Sequence, residues 1–414
     1  MRVRWLLLAI GVLGLVSSTQ FLPPSAQTLE EAARYFETTD IENGRRYEHQ
    51  RLWLYWAGQV AQLTLLLVLV FSRWGSTLVA RVRRFSGGRW LVQLLALAGL
   101  YLALTWVLLL PVRVGRHMHL AAWGMTSQPW ASWWRDQALG LVVYAVSSTI
   151  PLVGLYGVMR VAPRTWWLWS ALGVSGLAVV YAYLFPIVVA PLFNTFTPLR
   201  ETAWKDRESR IQALIAKAKI EVGDILVADA SRRSSHSNAY FAGFGPSRRI
   251  VLYDTLLMAH DDAEIDTILA HELGHWLHDH IVKGVLLGTL AALVGMLVLR
   301  RVLSGAARRG VLDMTSAADP AGLYLVLLLI WAGEWVALPI GNAVSRHFER
   351  QADRVSLELT QDPESFQRAE RTLAKKNIGN VVPSTWNTWL FATHPPYLER
   401  IQMAESWKRV EQRP

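Results

Sequence analysis

Seven stretches of this chain, near residues 5–22, 52–72, 90–111, 138–160, 166–190, 284–299 and 321–341, are apolar over lengths suited to crossing a lipid bilayer. That pattern leaves few folds open. A spanning segment must satisfy its backbone hydrogen bonds internally, so each run is expected to be a helix. The overall composition agrees: 52% of the 414 residues are hydrophobic and only 18% are charged. Soluble domains carry about a quarter charged residues. The fifth run opens with Trp166, Trp167 and Trp169, the aromatic belt of a lipid–water boundary. The sixth is short and must tilt little or be lengthened by its flanks. The seventh carries Glu334 between Trp331 and Trp335, and a carboxyl at that depth should face protein or a wet cavity. A structural partnership with a buried Arg or His explains Glu334 at least as well as catalysis. Arg2 and Arg4 before Trp5–Val16 resemble a signal peptide, but no small-residue cleavage site follows. An uncleaved first span is expected.

The net charge is +10. Its arginines cluster in loops beside the apolar runs: Arg81, Arg83, Arg84 and Arg89, then Arg300, Arg301, Arg308 and Arg309. That placement anchors a membrane surface rather than reading phosphates, so no nucleic acid partner is expected. The chain has no cysteine, which excludes disulfides, thiolate catalysis and Cys-bound metal. The N-terminus and the loops 73–89, 161–165 and 300–320 carry more Arg than 23–51 and 112–137. The 23–51 loop is also acidic, with Glu30, Glu31, Glu37, Asp40, Glu42 and Glu48. The positive-inside rule then places the N-terminus in the cytoplasm and the polar regions after the fifth and seventh runs outside. An integral, multi-pass membrane protein follows, of the inner membrane in a bacterium or an ER-type membrane in a eukaryote.

Four parts succeed one another: 1–190 with about five spans, a polar region 191–283, two more spans over 284–341, and a second polar region 342–414. In the first polar region Glu201–Ile220 reads as an amphipathic helix. Ile225–Asp229 and Arg249–Tyr253 read as strands, with a strand and turn over Asn238–Gly245 between them. Asp261 or Asp262 caps the next helix, and Glu264 and Asp266 favour its N-terminal end. The second polar region opens on a helix from Asn342 to about Leu359, and later holds His394 before two prolines and Arg400. There is no internal repeat.

The helix after Asp262 carries His271-Glu272-Leu-Gly-His275, with uncharged flanks. Residues four apart lie on one face, about 6 Å apart along the axis. His271 and His275 can therefore share one metal ion, with Glu272 beside it as a general base. A catalytic zinc needs a third protein ligand and an open position for water. His278 overshoots by a turn and His280 points elsewhere, so both read as surface or supporting groups. Glu349 is the better third ligand, on a separate helix that can cross the first. Asp353, one turn further on, can hydrogen-bond a liganding imidazole and fix its orientation. Taken by itself, such a helix with acidic residues would be an ordinary solvated face.

Several motifs in order resemble one family, the type 1 CAAX prenyl protease and its bacterial relatives, membrane-embedded zinc metallopeptidases. They are Pro191-Leu-Phe-Asn-Thr-Phe-Thr-Pro-Leu199, Ser237-Asn-Ala-Tyr240 with Arg249-Ile-Val-Leu-Tyr-Asp-Thr-Leu-Leu257, His271-Glu-Leu-Gly-His-Trp276, Ser345-Arg-x-x-Glu-x-x-Ala-Asp353 and Thr393-His-Pro-Pro396. Jointly these are specific; the metal motif alone is not. The resemblance implies a mostly α fold of about seven membrane helices around a water-filled chamber, with a zincin-like domain and a small β-sheet. It implies one zinc per chain on His271, His275 and Glu349, Glu272 as base and Asp353 behind a ligand. His394 matches a histidine that assists the transition state, and Arg400 a supporting arginine. Asn238, Ala239 and Tyr240 match an edge strand that holds the substrate backbone. The four parts then read as an N-terminal membrane region, two halves of a metallopeptidase unit, and two spans between the halves.

The implied substrate is a peptide or protein, prenylated or membrane-associated, in contact with the bilayer. Nothing in the sequence reads out a prenyl group, so general peptide or membrane-protein turnover remains the second reading. The eukaryotic members present the site to the cytosol, opposite to the side that the arginines indicate here. A site-2-type intramembrane protease is disfavoured, because the motif lies between His260-Asp-Asp262 and His278-Asp-His280 rather than in an apolar span, and Leu312-Asp313 lacks the expected setting. A metal transporter would need ligands within the spans, where only Glu334 qualifies. A non-catalytic scaffold of the same family is the remaining alternative, disfavoured because every catalytic position is filled.

Overall fold

In the computed structural model, residues 24–243 and 248–411 are described, and the first apolar run and residues 244–247 lie outside them. Helices dominate from the start: α1 (Ala26–Ala33), α2 (Thr38–Phe71), α3 (Arg73–Phe85), α4 (Trp90–Leu108), α5 (Leu110–Ala122), α6 (Trp130–Val161) and α7 (Trp166–Leu184). A π-helical turn over Phe185–Val189 and the short α8 (Ala190–Phe193) prolong α7. Pro186 and Pro191 each lack a backbone N–H, which explains the loosened ladder there. The polar region that follows holds β1 (Phe196–Pro198), α9 (Glu208–Lys217), β2 (Asp224–Ala228), β3 (Ala239–Ala242), β4 (Arg249–Tyr253), α10 (Asp254–Ala259) and α11 (Asp262–Leu277). The chain ends with α12 (His280–Arg308), α13 (Leu323–Thr360), α14 (Pro363–Lys376), α15 (Thr385–Phe391) and α16 (Tyr397–Glu411).

Six helices among the described residues are long and apolar enough to cross a membrane: α2, α4, α6, α7 continued to Phe193, α12, and α13 with its preceding turn. They coincide with the second to seventh apolar runs. The sixth run gains length from its flanks, since α12 has 29 residues. In α6, α7 and α12 only 6%, 6% and 0% of the apolar window is buried. Such helices leave most of their apolar windows uncovered by the rest of the chain, as spans in contact with lipid do. Glu334 lies within electrostatic reach of Tyr55, Tyr101 and Tyr144 from three other helices.

One end of the bundle holds a buried apolar cluster including Leu66, Leu97, Tyr156, Leu303 and Tyr324. Arg83 pairs with Asp319 there at 2.8 Å, and Arg160 donates to the Ala318 carbonyl at 3.2 Å. At the other end α1 packs with α14 and α16 through Ala32, Phe36, Ala374 and Ile401, reinforced by Lys375–Asp40 at 3.0 Å. Arg233 also joins the polar region to Asp136 of α6 at 2.6 Å. The Arg-rich loops thus share one end, and the loops 23–51 and 112–137 share the other with both polar regions.

The sheet has the order β1-β2-β4-β3, with β2 and β4 parallel and both outer pairs antiparallel. The β4 strand matches its expected bounds, and β2 lies one residue earlier. The short β1, containing Pro198, has no alternating pattern to announce it. The amphipathic helix expected over 201–220 is confined to α9, with 3₁₀ turns before it.

The sheet and α9 bury Ile211, Ile250, Leu252, Ile265 and Leu269 together, which fixes α11 against the sheet. Asp261 caps α11 by accepting from the Glu264 amide at 2.8 Å. On its other face α11 crosses α13, a single helix running through the boundary at residue 341. The crossing is close because residue 274 has no side chain. A Cβ there would lie 2.8 Å from Ala352 Cα and 3.1 Å from Val355 Cβ. Substituting Gly274→Ala should therefore push α11 and α13 apart and cost about 1–3 kcal/mol, as overpacking does. A thermal melt of the detergent-solubilised protein checks this; an unchanged melting temperature would contradict the packing argument.

A candidate metal centre

The crossing brings three expected residues together. His271, His275 and Glu349 each offer one ligand atom within 4.8 Å of the others. The two imidazole Nε2 atoms are 3.2 Å apart. Glu349 Oε2 is 3.2 Å from His271 Nε2, and Glu349 Oε1 is 3.5 Å from His275 Nε2. Two atoms bonded to one tetrahedral metal at about 2.0–2.1 Å lie about 3.3 Å apart, so the spacing fits a shared ion. Buried Glu349 Oε2 faces His271 Nε2 at 3.2 Å and His394 Nε2 at 3.1 Å, a carboxylate among imidazole nitrogens and so a donor set suited to a cation.

The charge balance leads to the same conclusion. Asp353 and Glu370 both bond the Arg400 guanidinium, and Glu272 and Glu349 lie within its electrostatic reach. Burial pushes the Glu272 carboxyl up to about 7. Burial, with Asp353 competing for the same arginine, also pushes Glu370 up to about 7. At His271, burial disfavours the cation, but hydrogen bonds to Asp353 and Glu349 outweigh it and raise the imidazole to about 10. His275, lacking such an acid, is lowered to about 4 by burial and by the charge on His271. A pocket with this surplus of negative charge holds a divalent ion more readily than it holds none.

A chain of buried groups backs His271. Asp353 Oδ1 is 2.8 Å from His271 Nδ1, and Arg400 Nε donates to Asp353 Oδ2 at 2.9 Å. Arg400 Nη2 also donates to Asp353 Oδ1, and its Nη1 donates to Glu370 Oε2 at 2.7 Å. Asp353 and Arg400 thus lie behind the first histidine; the resemblance implied Asp353 as the partner of a liganding imidazole and Arg400 as a supporting arginine near His394. Glu370 was missed. Its signal is an acid on the otherwise apolar face of α14 formed by Phe366, Ala369 and Leu373.

His394, exposed at the pocket side, has its Nε2 3.1 Å from Glu349 Oε2. Asn238 and Ala239 line the same cavity as His271, Glu272 and His394, a space of about 460 Å³. Tyr240 points away and rests edge-on against Tyr253. The β3 strand is at the sheet edge, and among the described residues it pairs with β4 alone.

Of the two readings open for His280, surface or supporting group, the second holds, but its direction departs from expectation. A regular continuation of α11 would carry it away from the motif. Instead Asp279 adopts a left-handed conformation, φ 51°, so α12 starts in a new direction. His280 is thereby buried with its Nδ1 3.0 Å from His275 Nδ1.

Comparison with known proteins agrees with this geometry. The model of peptidase family M48 matches residues 201–408, and that of the CAAX prenyl protease N-terminal region, five membrane helices, matches 15–195. The chain is 28% identical to the uncharacterized metalloprotease YhfN of Bacillus subtilis over 381 residues, 91% of this chain and 88% of that protein. It is 33% identical to the CAAX prenyl protease 1 homolog of Oryza sativa over 240 residues, and 30% identical to that of Homo sapiens over 289. Those matches cover 55% and 56% of this chain, and only 53% and 58% of the two relatives. The crystal structure of S. mikatae Ste24p superposes with a TM-score of 0.84 at 21% identity, covering 98% of this chain and 99% of that one. The chain belongs to peptidase family M48 and is an integral membrane metalloprotease.

Proposed function

We propose that this protein is a zinc endopeptidase that cleaves extended peptide segments, and that residues 191–283 and 342–414 form one catalytic unit carried by the two sets of spans. The observation that carries the reading is the His271–His275–Glu349 cluster beside Glu272 in a cavity bordered by an edge strand. His271, His275 and Glu349 would hold the zinc. Two imidazoles and one carboxylate, leaving a position open, are the donor set of a catalytic rather than a structural site. Zinc, when bound, supplies an acidified water and polarises the peptide carbonyl.

The remaining chemistry belongs to the chain's own groups. Glu272, held at about 7 by burial, is suited to take a proton near neutrality and return it to the leaving amine. Asp353 and Arg400 fix the His271 ring so that Nε2 faces the ion. His394 reaches the cavity from the open side and would donate to the carbonyl oxygen as negative charge develops. Asn238 and Ala239 would pair with substrate backbone at the sheet edge, holding it in register while side chains stay loosely read. Tyr240, turned toward Tyr253, would support the strand from its other face.

For substrates, the named activity of the plant and human relatives favours C-terminal processing of prenylated, membrane-associated peptides. General peptide turnover is the alternative. We also propose that the catalytic end faces away from the cytoplasm, since the Arg-rich loops gather at the other end.

Four outcomes are expected. Glu272→Gln should retain zinc and lose about 10²–10⁴-fold in peptide cleavage, the usual contribution of a general base. Glu349→Gln should lose most of its zinc as well, measured by elemental analysis after gel filtration; full retention would remove Glu349 from the ligand set. Cleavage of a prenylated peptide but not its unprenylated form supports the processing role, and equal cleavage supports turnover. A reporter active only outside the cytoplasm should be active when fused after Pro414, and silence there would reverse the proposed orientation.

A further inference from the structure

The two histidines of the motif are supported in different ways. His271 leans on a carboxylate, Asp353. His275 leans on another imidazole. The His280 Nδ1 lies 3.0 Å from His275 Nδ1, and the His280 Nε2 lies 2.9 Å from Gln351 Oε1. The His280 ring is buried and stacks on Phe348, centroids 4.3 Å apart and planes 8° apart, so it cannot swing to another partner without losing that contact. Gln351 and Phe348 both belong to α13, the helix that supplies Glu349.

A neutral imidazole carries one N–H and one lone pair. For His275 to ligate through Nε2, its proton must sit on Nδ1. That proton then points at His280 Nδ1, which must accept it. His280 in turn must carry its proton on Nε2, pointing at Gln351, which must accept through its carbonyl oxygen. Gln351 presents its carbonyl oxygen to His280 here, so the chain runs in the metal-binding sense. A reversed chain, with a donor at 351, would put a proton on His280 Nδ1 and force the His275 proton onto Nε2, where the metal belongs.

We infer that His280 and Gln351 are positioning residues that fix the metal-binding tautomer of His275, resting on the proposed zinc site. Outer partners of liganding histidines typically contribute about 10–100-fold in metal affinity. The test replaces Gln351 by side chains of similar length and opposite hydrogen-bond sense. Gln351→Glu can only accept and Gln351→Lys can only donate. The measured quantity is the zinc dissociation constant of the full chain in detergent, by chelator competition, with thermal melts confirming that each variant is folded.

Gln351→Glu should bind zinc as tightly as the unsubstituted chain or tighter, and Gln351→Lys about 10–100-fold more weakly. Charge acting through space would also separate these two variants, so both are repeated with His280→Phe, which keeps the stack on Phe348 and removes the nitrogens. The gap should then shrink to about threefold or less, since a double-mutant cycle isolates the coupling. An unchanged gap in the His280→Phe background, or no gap in the native one, would overturn the relay while leaving the zinc site standing. An unsubstituted chain that binds no zinc would overturn the site and the relay together.

Discussion

The arrangement depends on how closely α11 and α13 approach at Gly274 and Ala352. Histidines four apart on one helix can present two nitrogens, but the third donor must come from elsewhere. Because residue 274 has no side chain, α13 comes close enough for Glu349 and Asp353 to arrive on either side of His271, one at each ring nitrogen. A side chain at 274 would fill the space that this geometry needs. Because α13 is also a membrane span, the depth of the site is set by the bundle and not by a flexible linker.

Burial gives that crossing its chemical consequence. In water the carboxylates around Arg400 would be screened and unremarkable. Removed from solvent they lose their hydration, and burial raises Glu370 and Glu272 to about 7, with Asp353 adding to the rise at Glu370 and Glu349 to that at Glu272. A divalent ion would relieve this surplus of buried carboxylates. Arg400, gripping Asp353 and Glu370 at once, keeps the surplus from scattering the helices.

Much of this was legible in the sequence, because it follows from periodicity. The spans are continuous apolar runs, and the α11 histidines and the Glu349–Asp353 pair each lie four apart. What escaped notice depends on how separate elements meet. Glu370 sits on an ordinary amphipathic helix, and only the arrival of Arg400 from α16 shows why an acid belongs on its buried face. His280 escaped because the projection assumed an unbroken helix; a non-glycine residue in the left-handed region at Asp279 leaves no mark in composition. The three-residue β1, held by its pairing with β2, is too short for alternation to reveal.

The central claim is that two imidazoles and one carboxylate of this chain hold a single zinc ion. X-ray absorption at the zinc edge of the detergent-purified full chain tests it most directly. The account predicts two imidazole nitrogens with oxygen donors completing the shell, at about 2.0–2.1 Å. A shell with three imidazoles, or one without any, would contradict it.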